Sequence, residues 1–373
     1  MSDGRDPFRD EPRRLRRWVL PAIIGGVAAL AAAAVTVTLV LRPASEPEVA
    51  KPSTGATSAA PSSSASPKPP AQPSPRIRID CEEVLDRADV AAYLGAAPTL
   101  QRDAPVDLLS VAWLQQGGLG CTWSAGEHRL RVGALPLDAM PDSFVSGLRA
   151  SMSDTGPLPF VDAPLVDCVL ESRCSARAAT DTVAIVVDVS MRGAGVGLGD
   201  AAAFEPLAVT AMTRIAAAGG PTAPWTVPND QVVPTIDTCS AFDPDGVIGA
   251  ELGGSVLFEA AGYEDPPLLE GAALFGSAAR MCVAVVSGTD RTLTVDVLPD
   301  ARWAWDRLKA ARVADGAAGI DLAGADAAFH ETSVQKVYAL RGDAIVIVEV
   351  YTTDPSDSSA TAALSAWLNR YAA

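Results

Sequence analysis

Hydrophobic positions along the chain change their spacing three times. From Trp18 to Leu41 no residue is charged, and twenty-four residues at about 1.5 Å each reach about 36 Å, enough to cross a hydrocarbon core of about 30 Å. Residues 43–77 then carry almost no large apolar side chain, only Pro, Ser and Ala in excess. From residue 78 onward apolar residues return in short runs. Alternation with period two predicts strands at 119–125, 128–136, 172–179 and 183–191, and again at 280–288, 292–299, 333–340 and 343–352. Helical spacing predicts helices at Glu82–Leu94, 140–152, Ala201–Ala218, 301–313 and Ser358–Tyr371, the first ended by Gly95. The segments between the first helix and the first strand read as loops. Tight turns such as Ser124-Ala125-Gly126 make the strand pairs antiparallel hairpins, so the expected fold class is α+β: antiparallel sheets with helices packed on them.

The second half of this pattern repeats the first. IDCEEVLDRADVAAYLG, with Cys81, corresponds to IDTCSAFDPDGVIGAELGG, with Cys239. GCTWSAGEHRLRVGALPLDA, with Cys121, corresponds to MCVAVVSGTDRTLTVDVLPDA, with Cys282, and VAIVVDV around Asp188 corresponds to AIVIVEV around Glu349. Cys121 to Cys282 and Asp188 to Glu349 are the same distance along the chain, and Cys81 to Cys239 differs by a small gap, so the landmarks stay in register as an internal duplication requires. The expected organisation is a tail at 1–17, a spanning helix at 18–41, a disordered linker at 42–77, one repeat at 78–219, a Pro-rich connector at 220–234 and a second repeat at 235–373. The connector is short, so the copies should pack against each other, with any ligand site in the first copy or in the groove between copies.

Charge sets the orientation. Arg13, Arg14, Arg16 and Arg17 precede Trp18, which places the N-terminus in the cytoplasm and the bulk of the chain outside. The alternative for this segment is a cleaved signal peptide, given the small residues at Ala31–Ala34. No Cys stands directly at the end of the apolar run, so a lipoprotein is not expected. As a flexible coil the linker spans roughly 30 Å, and as extended polyproline about 100 Å. The formal net charge is −16, which argues against nucleic acid as a partner.

All six cysteines lie on the outer side of the span, where disulfides persist. The repeat alignment pairs Cys81 with Cys121 and Cys239 with Cys282. Cys168 and Cys174 align with Phe329 and Gln335, so they are expected to bond each other. Metal binding is the alternative for cysteine, but no CxxC pair is present.

Candidate chemistry is sparse. His128 falls in a predicted turn and His330 at the start of a predicted strand, at non-corresponding positions. No G-x-S-x-G elbow occurs. The glycine run Gly193–Asp200 lacks dinucleotide-turn spacing. Asp243–Gly246 begins like a calcium loop but has Gly254 at its twelfth position, so a helix-capping turn is expected. No catalytic residue, metal or cofactor is assigned. Trp303 and Trp305 stand two apart at a helix start, so one should face out as a possible ligand contact. Trp123 is a third such candidate, with burial on the Cys81–Cys121 bond as its alternative.

Cys, a short helix closed by Leu-Gly, a variable loop, then Cys-x-Trp opening a hairpin resembles the actinobacterial domain-of-unknown-function 3558 family. Cys81, Leu94, Gly95, Cys121 and Trp123 carry the likeness in the first copy. Cys239, Leu252, Gly253 and Cys282 carry it in the second, where Ala284 replaces the Trp. The pattern is also similar to extracellular sensor domains with a Mog1/PsbP-like sheet. The resemblance implies an extracytoplasmic binding or sensing module, and this chain departs from the family in having an apolar span and no lipobox. Together with the span at 18–41, the expected function is a membrane-anchored, non-catalytic binding or sensor module of the actinobacterial cell envelope, whose partner is an unidentified envelope ligand or membrane protein. The alternatives are a structural or assembly factor that scaffolds an envelope complex, and a cell-wall hydrolase.

Overall fold

The computed structural model describes residues 72–153, 160–169, 173–191, 200–225, 238–243, 245–260, 269–352 and 358–370. The expected tail, the span at 18–41, most of the linker and the glycine run up to Gly199 lie outside these residues. No helix among the described residues is long and apolar enough to cross a membrane.

The first copy contains helices α1 (Cys81–Val84), α2 (Arg87–Leu94), α3 (Leu108–Gln115), α4 (Asp142–Ser151) and α5 (Ala201–Ala217). Its strands are β1 (Thr99–Arg102), β2 (Leu119–Ala125), β3 (His128–Pro136), β4 (Met152–Ser153), β5 (Phe160–Val169), β6 (Arg173–Ala179) and β7 (Val183–Met191). The second copy has α6 (Val247–Glu251), α7 (Leu269–Gly276), α8 (Trp305–Ala314) and α9 (Ser359–Arg370). Its strands are β8 (Glu259–Ala260), β9 (Arg280–Val285), β10 (Thr292–Leu298), β11 (Ala318–Ile320), β12 (Ala327–Glu331), β13 (Lys336–Arg341) and β14 (Ala344–Tyr351). The two sheets have the same order, β1-β2-β3-β7-β6-β5-β4 and β8-β9-β10-β14-β13-β12-β11, and every pairing in both is antiparallel. The duplication read from cysteine spacing is thus a duplication of topology.

Alternation explains the burial. In β3, Leu130, Val132 and Ala134 point to one face and enter a core with Cys81, Cys121, Trp123, Phe204, Ala208 and Met212. In β14, Val346, Val348 and Val350 do the same against Ala363, Leu364 and Trp367. Each sheet therefore buries one face under its own C-terminal helix.

The other face joins the copies. α3 packs against α7. Leu108, Val111 and Ala112 of α3 share a buried cluster with Leu298, Trp303, Trp305, Ile345 and Ile347 of the second copy. Reciprocally, Leu269, Ala272 and Ala273 of α7 share one with Leu135, Ala184 and Val186 of the first. Gln115 Nε2 donates to Pro299 O at 3.1 Å across the seam. At Gly276 the copies approach so closely that a Cβ would lie 1.8 Å from the Ala139 carbonyl oxygen.

Several expectations need correction. The segments read as loops before the first strand of each copy contain α3 and α7. Asp107 starts α3, its Oδ1 accepting from Ser110 N at 2.7 Å. The first helix breaks into α1 and α2 at Leu85 and Asp86. Strands β1, β4 and β5 and their counterparts β8, β11 and β12 form where the alternation predicts no strand. His128 opens β3 rather than sitting in a turn, and His330 lies in β12 rather than at the head of the next strand. The packed fold includes residues before 78, within the expected linker: Arg76 is 4 % exposed. Its guanidinium donates to both carboxylate oxygens of Asp138 at 2.8 and 2.7 Å and to Thr222 O at 2.7 Å. That single side chain ties the end of the expected linker to the start of the expected connector.

Candidate functional site

Three disulfides form: Cys81–Cys121, Cys168–Cys174 and Cys239–Cys282. The first and third occupy equivalent places, each joining the N-terminal helical turn of its copy to the strand that opens the first hairpin. The second clips the ends of β5 and β6, where Cys168 faces Cys174 in register. Three bonds and no free cysteine among the described residues are the cysteine usage of an oxidising compartment.

The tryptophans are buried: Trp123 is 1 % exposed, Trp303 7 % and Trp305 5 %. Trp123 lies in the cluster of the Cys81–Cys121 bond. The expectation that Trp303 or Trp305 faces out fails because α3 of the other copy covers that side. Trp303 also meets Trp225 edge-on, with ring centroids 6.2 Å apart, and Trp305 packs on Phe329. No group of three or more His, Cys, Asp or Glu side chains among the described residues is arranged to hold a metal. Asp243 caps α6 as expected: its Oδ2 accepts from Ile248 N at 3.1 Å and Gly249 N at 3.2 Å.

A groove of about 770 Å³ lies on the first copy beside the seam. Its floor is the outward face of β2 and β3, with Thr122, Arg129 and Arg131. One wall is the segment from Gln101 to Ser110, and Glu270 of α7 closes the other end. A cavity of about 350 Å³ lies across Arg102 and Asp103 from it.

Arg131 organises the groove. Its guanidinium is ion-paired with Glu270 of the other copy and with Asp103 at 3.5 Å. It also lies over the Trp113 ring, 5.7 Å from the centroid. Burial lowers its pKa, but Glu270 and Asp103 outweigh this and raise it, so it stays charged. Burial raises the Asp103 carboxyl above its usual range, against the pull of Arg131. Asp103 has room only because β2 carries Gly120, where a Cβ would fall 1.6 Å from Asp103 Oδ2. Asp188, in register with Arg131 on β7, is likewise raised by burial and opposed by Arg173. Of these residues the sequence marks only Asp188, as a landmark of the duplication and not as a site residue. The signal was there in part: in RLRV, Arg129 and Arg131 occupy the face opposite Leu130 and Val132.

The second copy holds a different cluster. Lys336 Nζ pairs with Glu349 at 2.6 Å, and Asp296 on the same sheet face has Oδ1 buried without a partner. Burial pushes Asp296 up to about 7, with Lys336 pulling it down and Glu349 pushing it up. An acid whose pKa is higher folded than unfolded binds its proton preferentially in the folded state. Its contribution is present below the unfolded value near 4 and is lost as pH rises towards 7. We predict that Asp296→Asn stabilises the protein by about 2 kcal/mol at pH 8, reduced from the full shift because the side chain keeps partial access to water. The same substitution should be near neutral at pH 4. Urea unfolding of both proteins across pH 4–8 tests this. A gap that does not widen with pH would contradict the assignment.

No known protein family, characterised protein or solved structure matches the chain.

Proposed function

We propose that this chain is a non-catalytic binding or sensor module of the cell envelope. In this reading residues 18–41 anchor it, the Pro/Ser/Ala-rich segment holds it off the membrane, and the groove at the seam takes the ligand. One observation carries the reading: the groove is built by both copies around a fixed cation, Arg131, held by Asp103 from one copy and Glu270 from the other. Both carboxylates are engaged by Arg131, so neither stands as the free acid or base that a wall hydrolase requires. The three disulfides support an extracytoplasmic setting.

A second reading, an assembly factor, is favoured by a separate feature. Val285, 64 % exposed, and Tyr351, 51 % exposed, lie in one row across β9, β10 and β14 with Thr292 between them. Exposed apolar rows of this kind serve protein contacts.

A photo-crosslinking residue at Val106, on the groove wall, separates the two. Expressed in the full chain in cells, it should capture an envelope ligand that the same residue at Glu205 on α5 does not. Capture of a protein from Val285, with nothing from Val106, would transfer the function to the second reading.

A further inference from the structure

The floor of the groove runs out onto a sheet face that no described element covers. The register aligns Ser124 of β2, Arg129 of β3, Ser190 of β7 and Arg173 of β6 in one row across four strands. Paired residues of antiparallel strands share a face, and this is the face opposite the core residues Trp123, Leu130, Val189 and Cys174. Strands about 4.8 Å apart put Arg129 and Arg173 roughly 10 Å apart, with a serine hydroxyl between them and another at the end. Arg129, Ser190 and Arg173 are exposed. The row contains no acid.

Most of the charges around it are committed; Asp167 of β5, one row in and in register with Ser175, is an exposed carboxylate on the same face. Asp103 and Glu270 hold Arg131, and Asp107 caps α3. Asp188, one row in, is half-buried and forms a long ion pair with one guanidinium nitrogen of Arg173 at 4.0 Å. Arg129, by contrast, forms no ion pair among the described residues. Guanidinium donors therefore remain available on this face, within a chain whose formal net charge is −16.

The second copy supplies an internal comparison. There the corresponding row reads Val285, Thr292 and Tyr351 in the same register, with no cation. The sheet thus forms without arginine at these places, so the fold does not require the pair.

We propose that the Ser124–Arg129–Ser190–Arg173 row is an oxyanion-binding site, which takes the phosphate or carboxylate groups of the ligand lodged in the groove. The inference rests on reading that groove as the ligand site. Guanidinium forks match both anions through paired N–H donors, and the serine hydroxyls add donors between them.

The test is isothermal titration of the full chain in detergent micelles with pyrophosphate, and in a second arm with citrate, at low ionic strength. Wild type is expected to bind at least one of the two, and the probe that binds names the anion. Arg129→Gln combined with Arg173→Gln should weaken binding at least tenfold, while Arg214→Gln on α5, behind the opposite face, should leave it unchanged. Arg129→Lys with Arg173→Lys keeps the charge and loses the forks. It should fall between wild type and the Gln pair, and it decides the matter if the Gln pair does not fold. Binding of neither probe, wild-type affinity in the Lys or Gln pair, or an equal loss in Arg214→Gln would overturn the proposal. None of these results bears on capture from Val106, so failure of the anion row and failure of the groove reading are separable.

Discussion

Gly276→Val is expected to destabilise the protein by about 3 kcal/mol or more, one of the largest effects of any single substitution in the second copy. Its Cβ would sit 1.8 Å from the Ala139 carbonyl oxygen and 2.9 Å from the carbonyl carbon. Both are backbone atoms of the other copy, so no side-chain rotation relieves the clash. α7 must withdraw from the first copy, and its withdrawal opens the clusters that Leu269, Ala272, Ala273 and Leu274 fill. Overpacking alone costs about 1–3 kcal/mol, and the lost apolar burial adds to it. A matched control is Gly147→Ala in α4, where a Cβ meets nothing within 4 Å. It should gain about 0.5–1 kcal/mol by restricting the unfolded chain. Urea midpoints of the three proteins decide the comparison, and equal losses at Gly276 and Gly147 would show that the seam is not as tight as the backbone contact implies.

Replacing Cys81 and Cys121 together by alanine should cost about 4 kcal/mol in the chain-entropy account of a loop of this length, the bond closing a separation of 40 residues. Cys81 is 1 % exposed and Cys121 0 %, so the vacated volume adds to the loss. Replacing Cys168 and Cys174 should cost about half as much, because that bond closes a separation of only 6 and joins strands already paired. Its counterpart strands in the second copy form without any such bond. Guanidinium unfolding of the two double variants tests the ranking. A larger loss from the Cys168–Cys174 pair would contradict it.

Where a strand buries one face, the sequence was readable. β2, β3 and β7 fall where alternation put them because inward Leu119, Trp123, Leu130, Val132, Ile185, Val187 and Val189 alternate with outward polar residues at Thr122, Ser124, Arg129, Arg131, Asp188 and Ser190. The disulfides followed from repeat register for the same reason, since both copies use the cysteines to fix the same helix–strand junction. α3 and α7 escaped because LLSVAWLQ and LEGAALFG are apolar almost all round. A helix covered on both sides has no polar stripe to betray its period. β5 was hidden by an irregularity between Val161 and Val166, and β4 and β8 by being two residues long.

The site was less legible than the fold. Arg131 and Glu270 are 139 positions apart and belong to different copies. Asp103 reaches Arg131 only because Gly120 leaves room for it. Nothing in local spacing records such a meeting. Trp303 and Trp305 misled for the same reason: their exposure was judged within one copy, while the covering surface belongs to the other.

A binding groove at the seam requires the two copies to be one cooperative unit. The described residues of both copies fall in one compact unit, and differential scanning calorimetry of the full chain measures the consequence. One transition is expected, with calorimetric and van't Hoff enthalpies equal. Two separable transitions, or a van't Hoff enthalpy near half the calorimetric one, would mean that the copies unfold independently and that the seam does not hold a site.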